Sequence, residues 1–356
     1  MRVECPECLI VTAVSNDLIV TRKRALELTC SKCKSDIHIQ LSLSVATEQD
    51  EPFDAVSEDR LTRLTSSISE TEEDPEVLSL KSKILRSLVE LPPMPNIILK
   101  AREIIEDPRT SLKDLSAVIE HDQAIVARVL ALANSAYYGL SGMVSSIQHA
   151  SILLGQKTVS ELITIAASSR LLSKKLKGYQ LAPGDLWRHS LAVALGSRII
   201  AAKRDAKLDE DAFIAGLLHD AGKIILDPYV QERKKEFKTL LKKGEQVNVE
   251  AEKEILGFDH AEVMSRASRF WRYPEIQSTA IRYHHYPLRS DNNELAFIVH
   301  FADYAAKKAG FHSENTTSPC EIDPQILDRL GFQENELNAI IADIAGDVEK
   351  LVSEFQ

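Results

Sequence analysis

Five of the ten histidines, His189, His219, His260, His284 and His285, fall in order between positions 189 and 285. Two carboxylates accompany them: Asp220 directly follows His219, and Asp303 lies in VHFADYAAKK. Imidazole and carboxylate together favour first-row divalent ions, so this series could hold Mn2+, Fe2+, Ni2+ or Zn2+. A second set of donors is soft. Cys5-x2-Cys8 and Cys30-x2-Cys33 account for four of the five cysteines. Each knuckle places two thiolates on one tight turn, and two knuckles complete a tetrahedral Zn2+ site. Disulfides suit a reducing cytosol poorly, and a redox CxxC lacks the βαβ context it needs here. Cys320 stands alone and carries no special role.

A dipeptide by itself decides nothing, because the chain contains a second His-Asp doublet, His121-Asp122, in EHDQAIVARVL. Asp122 sits where an N-cap belongs, ahead of an apolar run with Ile125, Val129 and Leu132 at helical spacing. Capping accounts for this doublet. The same bland explanation is open to GLLHDAGKIIL, residues 216–226, as a buried helix end in which Asp220 orients His219 and Gly222 allows a turn. His284-His285 could likewise be a helix terminus whose cations the dipole favours. What sets His219-Asp220 apart is its company. His189, His260, the 284–285 pair and Asp303 each lie on a different helical segment, so a bundle can bring them to one point.

The elements that must do this positioning are almost all helical. Residues 1–42 read as a small β-rich unit, with alternating segments around the two CxxC knuckles. Residues 43–76 are acidic and rich in Ser and Thr, a flexible linker. Between Glu48 and Glu76, eleven acidic residues face only Arg60 and Arg63, so much of the net charge of -10 sits here. From residue 77 onward amphipathic and buried helical patterns dominate, punctuated by LPPMP, where Pro92, Pro93 and Pro95 end one helix. Segment 77–178 reads as an N-terminal helical bundle, 179–290 as the unit carrying the histidines, and 291–356 as a C-terminal helical extension. No apolar run approaches the roughly 20 residues that span a bilayer, and MRVECPECLI lacks a signal-peptide core. The expectation is a cytoplasmic protein without a membrane segment. An acidic balance disfavours nucleic acid as partner, although Arg22, Lys23 and Arg24 leave the N-terminal unit a local basic patch. The tandem helices after residue 110 could mimic a helix-turn-helix, but DQAIVARVLALAN offers only Arg128 as a cation and looks like core packing.

The order H…HD…D resembles the HD superfamily of metal-dependent phosphohydrolases. The resemblance implies that His189, His219, Asp220 and Asp303 are metal ligands. It equates His260, His284 and His285 with the extra histidines of two-metal relatives, and Lys223 with the lysine that contacts phosphate in them. Metals in such a site lower the pKa of bound water and clamp phosphate oxygens. Over residues 83–290 the segments LPPMPNIILKAREIIEDP, HDQAIVARVLALANSAYYG, SSIQHASILLGQKTV, LWRHSLAVALGSRIIA, AFIAGLLHDAGK and FDHAEVM resemble an HDOD domain, the HD-related output domain of bacterial signalling. That family implies an all-helical bundle packed against an HD-like subdomain and a regulatory role, often without catalysis. The N-terminal CPxC…CxxC pattern resembles the zinc ribbons of bacterial regulatory proteins. Relatives that hydrolyse cyclic-di-GMP carry a GYP motif after the paired histidines, and HHYPLRSDNNE has none.

Two functions follow as expectations. One is a non-catalytic output protein that works through contacts with other signalling proteins and responds to a nucleotide second messenger. The other is an HD-type phosphohydrolase acting on a nucleotide or cyclic nucleotide, with Lys223 as its catalytic lysine.

Overall fold

The computed structural model describes residues 2–4, 11–13, 25–29, 36–40, 75–90, 122–140, 142–241, 247–313 and 322–352. Near the N-terminus two short antiparallel pairs form. β1 (Arg2–Glu4) pairs with β2 (Val11–Ala13), Val3 opposite Thr12, and β3 (Ala25–Thr29) pairs with β4 (Asp36–Gln40), Glu27 opposite His38. Cys5, Cys8, Cys30 and Cys33 lie outside the described residues, as do the acidic stretch up to Asp74, the LPPMP segment and His121.

Everything described beyond residue 74 is helix and connecting turn, as the mainly α reading requires. α1 (Pro75–Glu90) starts six residues before KSKILRSLVEL. Pro75 opens it, which fits a first-turn position where no backbone N–H is needed. α2 (Gln123–Ala133) begins at Asp122, whose carboxylate accepts hydrogen bonds from Ala124 N and Ile125 N at 3.1 and 3.2 Å. Arg170 pairs with the same carboxylate at 3.2 Å. Asp122 of the second His-Asp doublet therefore has a structural use, and Ile125, Val129 and Leu132 face the core as their spacing predicts. Arg128, the single cation of that helix, donates to Ser169 Oγ at 2.7 Å. α3 (Ile147–Leu154) and α4 (Gln156–Leu172) follow, separated by Gly155.

The histidine-bearing part is built around α5 (Asp185–Arg204), which is buried from Leu186 to Ser197 apart from Arg188. α6 (Asp209–Leu218), α12 (Glu294–Lys308) and α14 (Glu334–Val352) pack against it. Leu191, Val193, Leu195, Leu217, Phe297 and Phe301 are all essentially inaccessible. Each such side chain contributes about 1.5–3 kcal/mol on burial, and that packing fixes the helix axes from which the polar site is hung. The remaining elements are α7 (Gly222–Glu232), α8 (Lys234–Leu240), α9 (Val249–Leu256), α10 (His260–Phe270), α11 (Glu275–Tyr283) and α13 (Pro324–Leu330). Among the described residues no helix is long and apolar enough to cross a membrane.

Candidate metal centre

His219 and Asp220 do not lie within a helix. α6 ends at Leu218 and α7 starts at Gly222, so the doublet occupies the break between them. The break points both side chains inward from a rigid corner. Gly222 makes the corner possible: a Cβ there would stand 2.0 Å from the backbone oxygen of His260. α10 can thus lay its first residue against the doublet. Asp259 caps that helix by accepting from Glu262 N at 2.6 Å.

Each remaining member arrives on its own element. His189 comes from the first turns of α5, His284 and His285 from the C-terminal end of α11, and Asp303 from the middle of α12. Two groups result, His189–His219–Asp303 and Asp220–His260–His284–His285, and in each the donor atoms lie within 4.8 Å of one another. Asp220 stands between them. Its Oδ2 is 3.5 Å from His189 Nε2 and 3.7 Å from His219 Nε2, while its Oδ1 is 3.0 Å from His260 Nε2 and 3.9 Å from His284 Nε2. Asp303 Oδ1 lies 3.2 Å from His189 Nε2 and 4.0 Å from His219 Nε2. All seven sequence-nominated histidines and aspartates meet here. They are buried except His285, which is partly exposed.

The outer nitrogens fix the ring tautomers. His189 Nδ1 meets the carbonyl of Phe311 at 3.0 Å, His219 Nδ1 that of Gly216 at 2.7 Å, and His284 Nδ1 that of Ile281 at 2.8 Å. A carbonyl only accepts, so each Nδ1 carries a proton, and the neutral tautomer compatible with that bond presents a bare Nε2 to the interior. His189 Nε2 and His219 Nε2 then face each other at 3.2 Å. Two lone pairs at that distance repel unless a proton or a metal ion lies between or beside them. His284 Nε2 is buried with no hydrogen-bond partner, which is costly for a polar atom unless something satisfies it. The donor set and its orphaned lone pairs fit divalent metal.

Electrostatics agree with that fit. Burial, partly offset by Asp220, pulls His219 down to about 4, and burial also drives His284 and His285 well below the ordinary histidine range. These rings are held neutral, the form that ligates metal. Burial acts against His260 too, but Glu252 and Asp220 overcome it and raise His260 to about 10. Asp220 is held well below the carboxylate range because Lys223, His219 and His260 outweigh the burial that would raise it. Asp303 is depressed likewise, through Lys307 and His189 against burial.

Lys223, which the resemblance makes the phosphate-contacting lysine, lies inside the centre beside Asp220. It is among the largest fully buried side chains, with Nζ donating to Asp220 Oδ2 at 2.8 Å and to Ser313 Oγ at 3.1 Å. Ser313 also donates to the same oxygen at 2.7 Å. The sequence did not nominate Ser313, Glu252 or Tyr179. The cation with a partly exposed side chain beside the centre is Lys307, 2.8 Å from Asp303 Oδ2.

An uncharacterised protein of Treponema pallidum (strain Nichols) is 27% identical over 218 residues, 58% of this chain and 40% of that protein. The matched stretch thus spans less than half of that relative. An HDOD domain protein of unknown function from Geobacter sulfurreducens superposes with a TM-score of 0.64 at 26% identity, covering 78% of this chain and 98% of that one. A candidate phosphohydrolase from Shewanella amazonensis SB2B shares the fold, with a TM-score of 0.59 at 24% identity over 77% of this chain and 98% of that one. The HDOD domain family model matches residues 91–287, more than half of the chain. With its helical architecture, this match makes the chain a member of the HDOD domain family.

Proposed function

We propose that this protein is a signalling output module whose buried HD-type centre binds divalent metal, and that it works through contacts with other signalling proteins rather than by turnover. The observation that carries this reading is the disposition of Lys223. Lys223 is 1% exposed, and its Nζ donates to Asp220 and Ser313 inside the centre, a position suited to neutralising a metal ligand. His189, His219, Asp220, His260, His284, His285 and Asp303 are the proposed ligands of Mn2+, Fe2+, Ni2+ or Zn2+. The N-terminal unit, 1–42, is proposed to hold Zn2+ on Cys5, Cys8, Cys30 and Cys33 and to dock a partner. The acidic stretch 43–76 would give it reach, the HDOD unit would span 77–290 and the extension 291–356. A nucleotide second messenger as effector and a cytoplasmic location belong to the same proposal.

A second reading is favoured by one feature. Asp220 directs one oxygen toward each group of histidines, an arrangement suited to two metals that clamp a phosphoester, and the Shewanella neighbour bears a phosphohydrolase name. The test uses the purified full chain loaded with Mn2+ or Fe2+ and a panel of phosphomonoesters, phosphodiesters and cyclic dinucleotides. Metal uptake without turnover supports the signalling module. Turnover at about 1 s⁻¹ or faster, the ordinary range for enzymes, replaces it with the phosphohydrolase, provided His219→Ala abolishes the activity.

A further inference from the structure

Among the four histidines of the centre whose Nδ1 partner is defined, His260 stands alone. His189, His219 and His284 rest on backbone carbonyls, whereas His260 Nδ1 is held by a carboxylate, Glu252, at 2.8 Å from Oε2 and 3.0 Å from Oε1. Glu252 Oε2 also accepts the His260 backbone N–H at 2.7 Å. The same residue therefore fixes the ring and the first peptide of α10. Glu252 is wholly inaccessible, and its other oxygen accepts a hydrogen bond from Tyr179 Oη at 2.8 Å.

Tyr179 is not there by chance of packing. It lies in a tight turn closed by Leu176 and Leu181, whose backbones exchange hydrogen bonds at 3.2 and 2.9 Å. Asp227 on α7 accepts the N–H groups of Lys177, Gly178 and Tyr179 at 3.2, 2.7 and 3.3 Å. Gly178 allows the turn to press onto α7, since a Cβ there would sit 2.6 Å from Asp227 O. Burial and Glu252 raise the Tyr179 phenol well above its ordinary value, so it stays protonated and donates. The result is one buried chain of contacts: Tyr179, Glu252, His260, Asp220.

We propose that Glu252 is the positioning residue of the metal position formed by Asp220, His260, His284 and His285, and that Tyr179 orients Glu252. This rests on the metal-centre reading above. A carboxylate on the outer nitrogen holds the ring orientation, keeps Nε2 directed inward and raises its donor strength, and loss of such a partner weakens metal binding roughly 10- to 100-fold. The companion position, His189–His219–Asp303, has no such carboxylate on its rings and should be indifferent to the change.

The experiment is calorimetric titration of the chelator-treated full chain with Mn2+ alone. Wild type takes two equivalents, of which His285→Ala removes one. Glu252→Gln, which keeps shape but not charge, weakens that same equivalent about 10- to 100-fold and leaves the other unchanged. Tyr179→Phe weakens it in the same direction and by less, and it decides the matter should the Gln variant not fold. Unaltered binding in these variants overturns the positioning role while leaving the metal centre intact. Equal weakening of both equivalents also overturns it, since that is the mark of general loosening. A wild type that takes up no Mn2+ overturns the metal-centre reading and this one with it.

Discussion

Replacement of Gly222 by alanine adds one methyl group at the tightest approach in the centre. The new Cβ would meet the His260 carbonyl oxygen at 2.0 Å, with His260 C at 2.8 Å and Cα at 3.1 Å. All three are backbone atoms, so no side-chain rotation relieves the clash. Reaching even a 3.0 Å contact, the lower bound for real Cβ atoms, requires α7 and α10 to separate by about 1 Å. Overpacking of this kind costs roughly 1–3 kcal/mol, and the better helix preference of alanine returns at most about 1 kcal/mol. A loss near 1–2 kcal/mol lowers the Tm of a domain of this size by about 2–8 °C. The effect on the site is larger than on the fold. Asp220 Oδ1 and His260 Nε2 are 3.0 Å apart, and metal–ligand distances tolerate only about 0.2 Å of error. Gly222→Ala is therefore expected to lose Mn2+ at the Asp220–His260–His284–His285 position and to keep it at His189–His219–Asp303. Calorimetric stoichiometry reads the first effect and thermal melting of the chelator-treated protein the second. An alanine variant with unchanged Tm and both metal equivalents would refute the close-approach reasoning.

Metal-stripped protein should show a stability optimum near pH 6.5. His219, with a folded value of about 4, contributes stability that is present above 6.5 and lost as pH falls toward 4. His260, raised to about 10, contributes stability that is present below 6.5 and lost as pH rises toward 10. The limbs are worth on the order of 3 and 5 kcal/mol respectively, and a Tm that stays flat from pH 4.5 to 9 in the presence of chelator would contradict both assignments. Metal at the second position must displace the His260 proton, so its binding enthalpy should vary with the ionisation enthalpy of the buffer. The two His-Asp doublets give a matched pair. Asp122→Ala removes a cap and should cost about 1 kcal/mol with no change in Mn2+ uptake, whereas Asp220→Ala should weaken both equivalents. Equal effects on metal would show that the two doublets are not functionally distinct.

Much of the helical frame was legible because apolar periodicity along α2 and α12 is clear and α5 carries the apolar run LAVAL, and the histidines stand out as polar residues beside such runs. The break between α6 and α7 was harder to see, since GLLHDAGKIIL reads equally well as one helix. Glu252 left no signal at all. It lies in VEAEKEIL beside Glu250 and Glu254, and only tertiary packing decides which of the three is buried. The carbonyls of Phe311, Gly216 and Ile281 that set the tautomers are equally silent, because every residue has a carbonyl. Lys223 was visible as a residue, but its contact with Asp220 was not, because a motif gives the side chain and not the partner it reaches.

The depth of the centre has a kinetic corollary. His189, His219, Asp220, His260 and His284 are each no more than 2% exposed, and they are gathered from segments spread over more than a hundred residues together with Asp303. An ion held there cannot leave by a side-chain flip. Exchange would go through a local opening beside the partly exposed His285, and such an opening slows the ion's exit without unfolding the chain. A metal trapped as the helices close would then outlast changes in the surrounding ion pool. The ion recovered with the protein would record which metal was at hand when it folded, and less which one binds most tightly at equilibrium.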